Sequence, residues 1–161
     1  MKNVFDKVSA VNIKGVYLCA QALGHEFVKN GEALSSICLL KVVLKVLKVR
    51  ASMLQLKNAV NSFTRSWAKE LGKHHVRVVG VAPGILEATG LRTLAYEESL
   101  AYTRGITVEQ LRAGYTNTKT TPLGRDGKLT EVADMVMFLS SHRASYVHGV
   151  TFNVAGGKTR G

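Results

Sequence analysis

The side chains whose spacing most invites a chemical reading are three lysines. Lys41, Lys45 and Lys48 recur at intervals of four and three within LLKVVLKVLKVRASMLQLKNAV, residues 39–60, the spacing that lines one face of a helix. A basic amphipathic helix of this kind docks on anionic membranes or on nucleic acid. The surrounding charge points the same way: no Asp or Glu occurs from Ala33 to Lys57, and the 161-residue chain carries a formal charge of +11. The run is short, however, and rich in Val, a poor helix former. It has neither interfacial aromatics nor a base-reading motif, so the expectation is no membrane and no nucleic acid partner. The remaining reactive types offer little. Cys19 and Cys38 are the only cysteines; they form no disulfide framework and no metal-ligand spacing, which predicts no metal and suits a reducing cytoplasm. His25 lacks a catalytic partner, His74 and His75 decorate the loop after a helix, and Trp67 belongs to a core or an interface.

The elements that would position a site alternate in type. Hydrophobic residues make up 46% of the chain and charged residues 20%, which excludes wholesale disorder. No apolar run approaches eighteen residues, and MKNVFDKVSA is not a signal peptide. Val4, Val8, Val11, Val16, Leu18 and Leu23 predict a helix over 4–29, closed by Asn30-Gly31. A second helix, 57–72, carries Val60, Phe63, Trp67 and Leu71 on one face and stops at Gly72. VRVVGVAP, 76–83, reads as a buried parallel strand ended by Pro83-Gly84. Residues 84–128 read as loop with one short helix capped by Thr107, with Glu109 in its first turn. A helix over 130–141, with Thr130 as N-cap, shows a stripe of Val132, Val136 and Leu139, and a last strand follows at 149–154. Alternating helices and apolar strands predict α/β with a parallel sheet.

Five segments, in order, resemble the C-terminal portion of a short-chain dehydrogenase/reductase: VNIKGVYLCAQAL (11–23), NAVNSFTRSWAKEL (58–71), VRVVGVAPGI (76–85), PLGRDGKLTEVADMVMFLSS (122–141) and ASYVHGVTFNVAGG (144–157). The resemblance implies an NAD- or NADP-dependent oxidoreductase built on a Rossmann-like, doubly wound parallel sheet. APGILEATGLRT and the tail AGGKTRG resemble the branch of the family that acts on sugar alcohol phosphates. In the family a Tyr acts as general acid/base, and a Lys four residues on lowers its pKa and binds the cofactor ribose. A Ser thirteen residues before the Tyr hydrogen-bonds the substrate oxygen, and an upstream Asn holds a water of the proton relay. By this match Asn12 is the Asn, Lys57 the Lys, Pro83, Gly84 and Ile85 flank the nicotinamide, and Thr89 contacts its amide. No metal is implied. The family also implies a homo-oligomer built through helices 4–29 and 57–72, and a sugar phosphate as substrate.

Two family features are missing. The sequence contains no glycine-rich phosphate loop, the turn that admits a pyrophosphate, so the expected sheet is incomplete and lacks the N-terminal strands. The Ser–Tyr–Lys segment is also absent: Leu40 and Met53 stand at the Ser and Tyr positions. The genetic code supplies an explanation. Ser52 to Lys57 can be written AGT ATG CTG CAA CTA AAA, which read from its third base gives Tyr-Ala-Ala-Thr-Lys. Ile37 to Lys41 can be written ATA TGT CTT CTG AAG, which in the same frame gives Met-Ser-Ser-Glu. The hidden Ser falls on Leu40 and the hidden Tyr on Met53, thirteen residues apart as in the family. The expectation is a single partial Rossmann-type domain over 1–161, with 33–57 in a displaced frame. It is the remnant of a dehydrogenase, inactive as written. Two alternatives remain: a non-catalytic oligomer partner of an intact homologue, and the basic membrane or nucleic-acid binder.

Overall fold

In a computed structural model of the chain, residues 6–7, 9–30, 36–40, 50–87 and 92–158 are described; for 36–40 and 50–57 the description covers the backbone alone. Among the described residues three strands form one parallel sheet: β1 (Ser36–Leu40), β2 (Arg77–Pro83) and β3 (Thr151–Val154), in that order across the sheet. Ser36 pairs with Arg77 and Leu40 with Val81, while Gly80 pairs with Thr151 and Pro83 with Val154. The central strand is buried on both faces, as the unbroken apolar run requires. Val76 and Val78 pack under α1 (Val16–Asn30) and α2 (Arg50–Leu71). Val79 and Val81 pack under the helix Leu129–Ser140 on the other face. Helices on both faces of a parallel sheet make this part of a doubly wound, Rossmann-like fold.

The second face of the sheet is approached through two further helices, α3 (Leu94–Arg104) and α4 (Val108–Ala113), before α5 (Leu129–Ser140). α4 begins as its sequence predicts: the Thr107 hydroxyl accepts from the Gln110 N–H, and the Gln110 side chain accepts from the Thr107 N–H. α3 lies in a region read as loop. Thr93 caps it by accepting from the Tyr96 N–H, and Gly105, at φ 64°, ends it in the left-handed region.

Three expectations need correction. The second helix begins at Arg50 rather than 57, so it runs through part of the unusual segment. The N-cap of α5 is Lys128, not Thr130: the Glu131 carboxylate reaches back to the Lys128 N–H at 2.7 Å. This fixes the helix start two residues earlier, because the acidic side chain serves as acceptor at the third helical position. The apolar stripe of the first helix also divides differently. The face packed on the core is Val16, Ala20, Phe27 and Val28, with Gly24 buried against Leu71. Val11 is 64% exposed, Leu18 50% and Leu23 47%. Within this helical region, Ala10–Gly15 is a π-helical turn that leads into α1. Val4, Val8, Lys41, Lys45 and Lys48 lie outside the described residues. Strand β1 falls where no strand was expected. Among the described residues no helix is long and apolar enough to cross a membrane.

Candidate functional site

The carboxyl ends of all three strands meet along one edge. Leu40 is the last residue of β1, Pro83 of β2 and Val154 of β3. Just past β2 the chain is pinned by main-chain hydrogen bonds. The Gly84 N–H donates to the Val154 carbonyl at 2.9 Å, and the Ile85 carbonyl accepts from the Gly127 N–H at 2.9 Å. The Glu87 N–H donates to the Gly127 carbonyl at 2.8 Å. Gly84 is required by contact: a Cβ there would lie 2.6 Å from the Ala155 Cα. The segment Pro83–Ile85 is therefore a fixed rim on the edge where open α/β sheets bind ligands.

The other sequence candidates sit on neighbouring elements. Met53 and Lys57 are four residues apart on α2, hence on one helical face. Asn12 is half-buried in the π-helical turn Ala10–Gly15, which packs against α2. Such turns concentrate at functional sites because they re-aim a helix locally. Thr89 lies outside the described residues. The structure thus brings Leu40 and Pro83–Ile85 to one edge, and puts Asn12 beside the helix that carries Met53 and Lys57. Among the described residues no group of His, Cys, Asp and Glu could hold a metal ion.

Sequence reasoning missed three features. The first is an ion cluster around Glu97, which is only 3% exposed. Arg92 donates through Nε to Glu97 Oε1 at 3.0 Å, and Arg112 donates through Nε and Nη2 to Glu97 Oε2 at 2.9 and 2.7 Å. Hydrogen bonds from Arg112, reinforced by Arg92, hold the Glu97 carboxyl below the usual carboxylate range against the opposing effect of burial. The arginines carried no periodic signal, since Arg92 and Arg112 are twenty residues apart. The second is His148. Its Nδ1 accepts from the Val78 N–H at 3.0 Å, so the ring proton is on Nε2 and donates to the Ala68 carbonyl at 2.8 Å. That carbonyl belongs to the last turn of α2. The third is a cavity of about 280 Å³ at the carboxyl end of β3, lined by Ile85, Thr121, Arg125, Glu131, Asn153 and Val154 among others. Beside it, Arg125 grips Glu131 with two hydrogen bonds of 2.9 and 2.6 Å. That pairing, with the Lys128 N–H, pulls the Glu131 pKa down to about 2.

Comparison with known proteins agrees with this architecture. The family model described as enoyl-(acyl carrier protein) reductase matches residues 1–159. The chain is 55% identical over 157 residues to sorbitol-6-phosphate 2-dehydrogenase of Klebsiella pneumoniae, covering 98% of this chain and 58% of that protein. It is 33% identical to human (3R)-3-hydroxyacyl-CoA dehydrogenase, covering 95% of this chain and 53% of that one. Among solved structures, hydroxysteroid dehydrogenase from Escherichia coli matches with a TM-score of 0.77 at 25% identity, over 99% of this chain and 59% of that one. Sorbitol-6-phosphate 2-dehydrogenase from Erwinia amylovora has the same fold, with a TM-score of 0.83 at 24% identity over 100% of this chain and 62% of that one. The chain spans a little over half the length of these relatives. It belongs to the short-chain dehydrogenase/reductase family.

Proposed function

We propose that this chain carries the second half of the scaffold of an NAD- or NADP-dependent dehydrogenase of the sorbitol 6-phosphate type, and that the chain as written does not catalyse the reaction. The observation that carries this reading is the pair Leu40 and Met53. Strand β1 ends at Leu40, on the sheet edge shared with Pro83, and Met53 precedes Lys57 by one helical turn on α2. In this family that edge and that turn hold the Ser and the Tyr-x-x-x-Lys. An aliphatic side chain at 40 has no group to hydrogen-bond a substrate oxygen. A thioether at 53 has no proton to exchange, so general acid/base chemistry has no agent there. Lys57 then has no phenol whose pKa it can lower, and Asn12 no relay to serve.

The residues of this chain match only part of a nicotinamide cofactor. Pro83, Gly84 and Ile85 form a pinned rim suited to flank the nicotinamide, Thr89 is the candidate for its amide, and Lys57 for the ribose. A glycine cradle for the pyrophosphate is absent from the sequence. The displaced frame over 33–57 accounts for both lost side chains at once, within a single partial Rossmann-type domain over 1–161. The exposed free thiol of Cys19 supports a reducing, cytoplasmic setting.

A second reading is favoured by a specific surface. Val11, Leu18 and Leu23 are exposed on the first helical region. Tyr17 lies 6.2 Å from Phe63 and 6.0 Å from Trp67, ring centre to ring centre, and Phe63 stacks on Trp67 at 4.8 Å. Exposed apolar side chains beside an aromatic cluster suit a partner. They support docking through helices 4–29 and 57–72 onto a second copy or an intact homologue.

The test of the first reading is turnover. Purified chain, NAD or NADP, and sorbitol 6-phosphate are expected to give no change in nicotinamide absorbance above background. Clear turnover would overturn the reading.

A further inference from the structure

The amino end of the sheet concentrates a different chemistry from the rim at its carboxyl end. Arg77 opens β2, and it is only 6% exposed. Arginine keeps its charge in proteins, and a buried charge requires a counter-charge. Among the described residues Arg77 makes no ion pair. Its partners are two main-chain carbonyls. Nη2 donates to Ser141 at 3.2 Å, and Nη1 donates to Val147 at 3.5 Å, which is long for such a bond. The Ser141 carbonyl is shared, since it also accepts from the Ala144 N–H at 3.2 Å. The Arg77 Nε is buried with no acceptor.

The surroundings do not supply the missing charge. Residues 71–86 and 135–158, which include β2 and the turn that touches Arg77, contain no Asp or Glu. Ser141 follows directly on α5, and the carboxyl end of a helix carries roughly half an elementary negative charge. That offsets part of the guanidinium and leaves the remainder. The exposed side chains of the flanking segments add positive charge: Lys73 ahead of β2, and Arg143 two residues beyond Ser141. Arg77 and Pro83 are the two ends of β2, roughly 20 Å apart at the rise of a strand. The charge at Arg77 is thus separate from the rim.

We propose that Arg77 is the centre of a binding site for a small oxyanion of the phosphate type at the amino end of the sheet. The planar guanidinium edge formed by Nε and Nη1 matches two oxygens of such an ion. The ion satisfies the orphan Nε, replaces the long contact to Val147, and meets the charge of Lys73 and Arg143 on its outer side. The proposal does not depend on whether this chain has lost its chemistry.

Titration of the full chain with inorganic phosphate at constant ionic strength tests it, followed by the arginine Nε–H signals in nitrogen-correlated NMR. The Arg77 Nε–H is expected to shift along a saturable curve that fits a single site. Arg143→Gln is expected to weaken that binding about two- to fivefold, as an exposed charge does. Arg77→Lys, which keeps the charge and loses the fork, is expected to weaken it at least about tenfold in calorimetry. Arg125→Gln, at the other end of the sheet, is expected to leave it unchanged. Should Arg77→Lys not fold, the Nε–H titration of the unaltered chain decides alone. An Arg77 Nε–H signal that phosphate does not move, or phosphate binding of equal strength in Arg77→Lys, would overturn the proposal.

Discussion

Leu40 closes β1 beside Val81 of β2, its partner in the parallel register, two residues ahead of Pro83. An aliphatic residue therefore ends the strand at the carboxyl edge of the sheet. Ser36–Leu40 pairs in parallel with β2, whose residues Arg77–Val81 are buried. On the reading proposed above, it is the chemistry at its tip that has changed. This leads to a first prediction. Introducing Ser at 40 and Tyr at 53 together is expected to leave the helix content by circular dichroism unchanged, since both positions keep their strand and helix. A loss of helix content would show that the two positions do more than fill places in the scaffold.

A second prediction concerns His148. Its ring joins the buried Val78 N–H to the Ala68 carbonyl in the last turn of α2. His148→Ala leaves that N–H buried without an acceptor, a loss of about 1–3 kcal/mol. For a chain of this size that lowers Tm by roughly 2–4 °C for each kcal/mol. Nitrogen chemical shifts of the imidazole are expected to report the Nε2–H tautomer. A melting point unchanged in His148→Ala would contradict the assignment.

The rim beyond β2 gives a third. A methyl group at 84 meets the Ala155 Cα and Cβ at 2.6 and 2.9 Å, a main-chain clash that no rotamer relieves. Gly84→Ala is expected to cost about 1–3 kcal/mol through overpacking. Gly105→Ala, where the added methyl meets nothing but the backbone sits at φ 64°, is expected to be milder. Urea denaturation of the two variants measures the order, and a reversed order would count against the packing of β2 on β3.

Acid should weaken the fold in a defined window. The Glu131 pKa is held at about 2 against an ordinary value of 4.5, first by Arg125 and then by the Lys128 N–H. A carboxylate whose folded pKa lies below its unfolded one adds stability above the unfolded value, and that stability is lost as pH falls toward the folded one. Wild type is therefore expected to melt above Glu131→Gln at pH 6, with the gap closing between about pH 4.5 and 2. A gap that does not change with pH would contradict the role given to Arg125.

Much of this was legible from the residues because local signals agreed with tertiary burial. Val60, Phe63, Trp67 and Leu71 spell out the face of α2 that packs on the sheet, and Thr107 caps α4 as its position suggests. Where periodicity failed, the reason is specific. On the first helix the apolar residues are spread around the axis, so the eye chooses Val11 and Leu18, whereas the core takes the small Ala20 and Gly24. Helix α3 was missed although Thr93 and Gly105 bracket it, because LAYEESLAYTR has no continuous apolar stripe. The Arg92–Glu97–Arg112 cluster and the His148 bridge depend on contacts between distant parts of the chain. No local pattern encodes those contacts. The assignment of Asn12, Lys57, Pro83, Gly84, Ile85 and Thr89 came from family resemblance and not from periodicity.

The displaced frame is tested most directly by the coding DNA. The codons for Ile37–Lys57 are predicted to read, from the third base, as a serine-containing loop followed by Tyr-x-x-x-Lys, with that frame rejoining the present one at Lys57-Asn58. Codons that yield no Ser at the position of Leu40 and no Tyr at the position of Met53 in that frame would contradict the account.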